Sequence, residues 1–364
     1  MTVWNLTLRI LAGLAGAWLI GVTLSAAVRS YVLPRSERVF LTRQIFHWTY
    51  KLGFRWRLKR AQTFEQIDRL MALFAPVALL VNPVVWMALL ILGYAGLFWA
   101  VGPAGRTFWD AIVLSGSSLL TLGYEKPVTR IGILLSFSEA GIGLGIVALL
   151  IAYLPTMYAA FSKREAAVTM LVVRAGSPPS AVEMIQRVYR IRGLEYLGQL
   201  WEDWEGFFAE IEESHSSLAA LVFFRSPSPD RHWLTASGVV MDAAALISAA
   251  VDTPFDPRAN LCIRAGFLAL RQIADFFEVQ HNPEPHFPRD PISVTREEFN
   301  EAVAALAAAG VPIKPDLEQA WADFAGWRVN YDRVLLALAG ITNAPLVNWI
   351  SDRAPAGDQH EIFV

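Results

Sequence analysis

The sequence predicts an all-α membrane protein: three transmembrane helices, a short re-entrant helix and return strand between the second and third, and an all-helical cytoplasmic domain after them. Three observations predict it. Of 364 residues 54% are apolar, with a mean hydropathy of +0.38, which exceeds an ordinary soluble composition. Three long stretches are free or nearly free of charge. Residues 1–163 carry 15 Lys/Arg against 6 Asp/Glu and residues 164–364 carry 16 against 27, so a basic, apolar half precedes an acidic one. That acidity argues against a nucleic-acid partner. The single Cys262 excludes an internal disulfide framework and a cysteine zinc site, and points to a reducing compartment.

Ile10 to Val28 is 19 residues without a charge, which at about 1.5 Å per residue nearly crosses a hydrocarbon core of about 30 Å. A cleaved signal peptide is the alternative, since Arg9, the apolar run and Ser25-Ala26-Ala27 fit that pattern loosely. That reading would export the connector from Arg29 to Arg69, whose ten Lys/Arg face only Glu37, Glu65 and Asp68; the positive-inside rule assigns it to the cytoplasm. Within it Phe40, Ile45, Phe46, Trp48, Phe54 and Trp56 alternate with basic residues, as in a segment lying on anionic lipid headgroups; an ordinary basic loop is the plainer reading. Leu70 to Gly105 lacks charge, with a kink expected at Asn82-Pro83, and Ile131 to Ser162 is charge-free apart from Glu139. Three spans place the N-terminus outside and the tail inside, in a multi-pass protein of a bacterial-type inner membrane.

Between the second and third spans, Thr107 to Glu125 is too apolar for a plain connector and too short to cross. Phe108 to Leu120, which includes Trp109, Asp110, Ser117 and Ser118, reads as a short helix entering from outside with its carbonyl end toward the bilayer centre. Such an end carries roughly half a negative charge, so several converging ends favour a cation. Thr121-Leu122-Gly123-Tyr124 is then a return strand, since irregular backbone at that depth is tolerated only beside protein or water. A turn between two unrelated helices is the alternative.

Ser118-Leu-Leu-Thr121-Leu-Gly-Tyr124 resembles the pore signature Thr-x-x-Thr-Val-Gly-Tyr-Gly of potassium-channel-like pore-loop ion channels, over residues 84–165, and sits where that family places it, between an outer and an inner helix. The resemblance implies a passive cation channel, with K+ as the permeant ion and no cofactor. It also implies a selectivity filter in which the Thr121 hydroxyl and the carbonyls of Thr121, Leu122, Gly123 and Tyr124 replace water around the ion. Gly123 supplies a positive φ, and Tyr124 braces the strand against the pore helix. One strand per chain cannot encircle an ion, so a homotetramer in membrane lipid follows.

The chain departs from the family where Glu125 stands for the second filter glycine and Lys126 for the usual Asp. Four Glu125 carboxylates at the mouth would concentrate cations or hold a divalent ion, as in weakly selective relatives. In the third span Gly141, Gly143 and Gly145 read equally as a hinge or as small-residue packing behind the filter. Ile151, Tyr153, Leu154 and Pro155 form a candidate gate, where apolar side chains stop ions by dewetting. Glu139 is expected to contact the pore helix or a neighbouring subunit.

The expected organisation is therefore 1–69 for the first span and connector, 70–163 for the pore module and 164–364 for the helical domain. In the last, Ser180-Ala-Val-Glu183 and Thr295-Arg-Glu-Glu298 match capping boxes, and Val239 to Val251 reads as a buried core helix. His281 and His286 lack the further ligands of a metal site. No nucleophile with a base, and no phosphate-cradling loop, supports an enzyme or a nucleotide site, and the sequence names no cytoplasmic ligand. A membrane-anchored signalling or scaffold protein with a vestigial pore is the competing class.

Overall fold

The computed structural model describes residues 3–32 and 39–354; the described residues are helical, without a strand. Glu37 of the connector lies outside them. Helix α1 (Val3–Tyr31) continues through Ser25-Ala26-Ala27, where both alanines are buried. It is followed by α2 (Phe40–Thr49), a π-helical turn (Tyr50–Phe54) and α3 (Arg55–Arg60). The long helices α4 (Phe64–Val101) and α6 (Arg130–Ala175) flank the short α5 (Phe108–Leu119). Pro76 and Pro83 lie inside α4 and Pro155 inside α6, and neither helix is interrupted. Then come α7 (Ala181–Ile191), α8 (Leu197–Ser217), α9 (Trp233–Ala250), α10 (Pro257–Phe276), α11 (Arg296–Ala308), α12 (Leu317–Arg328) and α13 (Asp332–Thr342).

By length and composition α1, α4, α6 and α9 could each cross a membrane. For α9, 94% of the apolar stretch is buried within the fold, which makes it a core helix, because a lipid-facing helix needs no such cover. The other three leave most of their apolar surface uncovered, as membrane helices do.

The chain divides into two compact units, residues 1–56 with 76–158 and residues 57–75 with 159–364. The boundaries expected at 69 and 163 therefore fall elsewhere. Residues 57–75 join the C-terminal unit because Asp68 pairs with the buried Arg225 at 3.3 Å and Phe74 packs edge-on against Phe223.

In the first unit α1 and α4 approach closely through small residues. A Cβ on Gly16 would collide with the carbonyl of Gly93, and one on Gly96 with that of Ala12; such spacing lets two helix backbones pack where lipid supplies no hydrophobic drive. Leu90, Tyr94, Phe98, Leu114, Leu119 and Ile146 form the core between α4, α5 and α6. The connector is two-faced: Ile45, Tyr50 and Phe54 are buried, while Phe40, Trp48, Leu52 and Trp56 are exposed, and the Lys51 ammonium lies 4.7 Å from the Trp48 ring.

In the second unit α9 runs through the centre, covered by α7, α10, α12 and α13. Thr295 and Glu298 complete the capping box of α11, and the Ser180 hydroxyl accepts the Glu183 amide at α7, as their spacing predicts. Inside lies a buried polar network. Arg164 donates to the carbonyls of Leu221 (2.8 Å) and Phe224 (2.7 Å), pairs with Glu165 (2.9 Å) and meets His215 at 3.2 Å. Burial first, and then the Arg164 cation, hold His215 well below the usual imidazole range; burial and the nearby Arg225 and Arg164 do the same to His232. Both rings stay neutral in the fold while the unfolded chain takes up protons below about pH 6.5, so stability is lost as pH falls through that value, by up to about 1.4 kcal/mol per pH unit for each histidine. Thermal unfolding followed by circular dichroism from pH 7.5 to 5 is expected to show a falling midpoint, with a shallower slope in His215→Gln; a flat profile would contradict the burial of both rings.

Candidate functional site: the α5 turn

The sequence Thr107-Phe-Trp-Asp110 starts α5 sharply. The Thr107 hydroxyl accepts the Asp110 amide (3.2 Å), and the Asp110 carboxylate accepts the Thr107 amide (2.8 Å), a reciprocal cap that satisfies two orphan donors. Residues 102–106, which lead into it, are clamped from α1. Arg9, 4% exposed within an apolar helix, donates to the carbonyls of Gly102 (2.9 Å), Pro103 (3.1 Å) and Arg106 (3.3 Å) and lies over the Trp99 ring. The Trp99 indole also donates to the Arg106 carbonyl (3.2 Å).

The buried face of α5 is a row of serines. The Ser115 hydroxyl, with one hydrogen to give, lies within reach of both the Ile91 carbonyl (3.0 Å) and Glu139 (2.5 Å), and Ser118 bonds Ser136 (2.7 Å). Glu139 itself is fully buried. Tyr94 of α4 meets Ser138 (3.0 Å), so hydroxyls and one carboxylate join α4, α5 and α6 in a region otherwise apolar, where each unsatisfied polar group would be costly. The opposite side of α5 is open: Phe108 and Trp109 are exposed, although Phe108 meets Trp99 edge-on.

Helix α5 ends in a Schellman motif. The Leu122 amide donates to the Ser117 carbonyl (2.9 Å) and the Thr121 amide to the Ser118 carbonyl (3.1 Å), and the residue in the left-handed region is Thr121, with φ 55°. Glycine is the usual occupant there, and a β-branched residue in it is strained. Such strain concentrates at functional positions. Gly123 returns to positive φ (71°), its amide donating to Ser117 (3.3 Å), and the Glu125 amide reaches the Ser117 hydroxyl (3.2 Å). The amides of 121, 122, 123 and 125 are thus all turned toward the helix end. By contrast, the carbonyls of Thr121, Leu122, Gly123 and Tyr124 accept no hydrogen bond from any described residue, and these four residues are exposed in the single chain.

At the helix end the Gly116 carbonyl accepts the Leu120 amide, the Ser117 carbonyl those of Leu122 and Gly123, and the Ser118 carbonyl that of Thr121. Glu125 differs from the bare negative charge expected of it: its carboxylate pairs with Arg106 at 2.9 Å. Tyr124 is exposed in the single chain.

Along α6 the three glycines separate. A Cβ on Gly143 would collide with the Leu119 carbonyl, so Gly143 permits the close approach of α5, whereas nothing lies within 4 Å of one on Gly141 or Gly145. Gly143→Ala is expected to cost about 1–3 kcal/mol by overpacking. Gly141→Ala and Gly145→Ala should stabilise the helix by up to about 1 kcal/mol. Melting of the purified protein separates the two classes. Farther on, Tyr153 packs on Tyr31 of α1 with ring centroids 4.3 Å apart, which turns it to its own chain's helices. Ile151 and Leu154 beside Pro155 stay exposed.

Sequence reasoning did not single out Arg106, Ser115, Ser136, Tyr31 or the clamp by Arg9. The small-residue spacings Ala12-x-x-x-Gly16 and Gly96-x-x-x-Ala100 signal the α1–α4 contact. No family model, curated protein or solved structure matches the chain.

Proposed function

We propose that the chain is one subunit of a homotetrameric, passive cation channel in an inner membrane, conducting K+ through a filter formed by the carbonyls of Thr121 to Tyr124. The observation that carries the reading is the polarity of the α5 turn: its amides bond back to the helix while four consecutive carbonyls accept nothing from the chain. In the proposed tetramer these carbonyls would leave bulk water and so need a partner, and a dehydrated cation on a shared axis would supply one. The exposed apolar residues Leu134, Phe137, Leu144, Ile151, Leu154 and Tyr158 of α6 are what such an assembly, together with lipid, would cover. In this arrangement the basic connector and the acidic helical domain lie in the cytoplasm, the two-faced connector rests on the lipid surface, and α5 enters from outside. Glu125 in the place of a glycine favours weak discrimination between K+ and Na+ as the second reading.

Rb+ uptake into zwitterionic liposomes holding the purified protein tests the proposal: uptake down a gradient supports it, and a silent but intact tetramer points to the scaffold class. The Arg106–Glu125 pair makes a further demand. Glu125→Gln leaves Arg106 positive at the mouth and should lower cation conductance several-fold at about 10 mM salt, where charge is little screened, and much less at about 1 M. Arg106→Gln/Glu125→Gln should restore it; a single variant that conducts normally at low salt would show that the pair lies away from the ion path.

A further inference from the structure

We propose that the helical domain binds a small organic anion with an apolar body in the cavity formed by Arg271 of α10, the segment from His281 to Ser293 and residues 329–337. The cavity measures about 530 Å3, within the range of small-molecule sites. Its charges decide what it takes. Of the two lining carboxylates, Asp332 shares the Arg328 cation (2.7 Å) with Asp242 and also accepts the Ser293 amide (2.9 Å) and hydroxyl (2.7 Å). Asp290 is matched by Arg289 (3.2 Å) and accepts the His286 amide (2.9 Å) and Asn282 (3.1 Å). Neither is left to receive a cation.

The lining cations are placed otherwise. Arg271 donates to neutral carbonyls, those of Asn330 (2.8 and 3.0 Å) and Pro283 (2.9 Å), so its charge has no carboxylate at hydrogen-bond distance. Arg333 is exposed and makes no hydrogen bond or ion pair with a described residue. His281, at the edge, already bonds Asp275 (2.8 Å). With the oxygens of both lining carboxylates already taken up by donors of the fold, the guanidinium groups of Arg271, which also feels Asp275, and Arg333 are what face the cavity, and the N-terminus of α13 beside them adds partial positive charge. Guanidinium is suited to a carboxylate or phosphate oxygen pair. Pro285, Pro291, Ile292, Val334 and Ala337 form the remaining wall and would cover a hydrocarbon or aromatic body.

The site stands apart from conduction, so binding is read directly. The full chain in zwitterionic nanodiscs, with empty discs as the blank, is titrated with benzoate, phenyl phosphate, benzyl alcohol and benzylamine by saturation-transfer NMR. Benzoate or phenyl phosphate should bind, the stronger of the two showing whether carboxylate or phosphate is preferred, while benzylamine should not. Arg333→Gln, an exposed substitution that leaves packing untouched, should weaken the anion about tenfold or more, with Arg333→Lys between. Ala337→Phe, which fills the cavity without changing charge, should abolish it. Benzylamine binding as well as benzoate, no binding by either anion, or anion binding unchanged in both Arg333→Gln and Ala337→Phe would overturn the proposal.

Discussion

Gly123→Val is expected to abolish Rb+ flux while leaving the tetramer assembled. Gly123 holds φ at 71°, which costs an L-residue roughly 1–2 kcal/mol and a β-branched one more. A Cβ there meets nothing within 4 Å, so the effect acts through the backbone and not through a clash. Relaxing to negative φ breaks the hydrogen bond from the Gly123 amide to the Ser117 carbonyl and rotates the neighbouring carbonyls, and in the proposed filter that loss of one coordinating layer would be repeated in every subunit. Gly123→Ala should lie between. Unchanged uptake in Gly123→Val, with the tetramer intact by native mass spectrometry, would mean that ions cross elsewhere.

The largest expected loss of stability is at Arg328 in the second unit. This fully buried guanidinium holds both oxygens of Asp242 (2.6 and 2.7 Å), pairs with Asp332 (2.7 Å) and shares Asp242 with the Tyr331 hydroxyl (2.8 Å). Arg328→Met keeps much of the volume but leaves two carboxylates facing each other without a cation, which costs about 3–5 kcal/mol. Chemical unfolding of the helical domain should show that loss, and Arg328→Met/Asp242→Asn should recover part of it by removing one stranded charge. Equal losses in the single and double variants would show that packing, not charge, is what Arg328 supplies.

The three long apolar helices were legible because a charge-free run of that length has few other uses, and α5 was legible as a segment too apolar for a connector and too short to cross, followed by Leu-Gly-Tyr. The division into units was not. Residues 64–75 run into the rest of α4 without a break, and only contacts distant in sequence, such as Asp68 against Arg225, 157 positions away, and Phe74 against Phe223, tie them to the helical domain. The role of Gly143 was open because three glycines at alternate positions look alike in sequence, while helical rotation turns one of them onto Leu119. Glu125 read as a bare charge at the mouth because its partner Arg106 precedes it by 19 positions, and only the turn brings the two together. The cavity around Arg271 and Arg333 gathers residues from three segments, none of which carries a pattern of its own.

The central claim is that carbonyls 121–124 from four copies hold a bare cation. Anomalous scattering from Rb+ in crystals of the assembled protein tests it most directly. The account predicts density on a fourfold axis, level with those oxygens and absent in Gly123→Val. Rb+ found only at carboxylates on the surface, or carbonyls 121–124 pointing away from any shared axis, would contradict it.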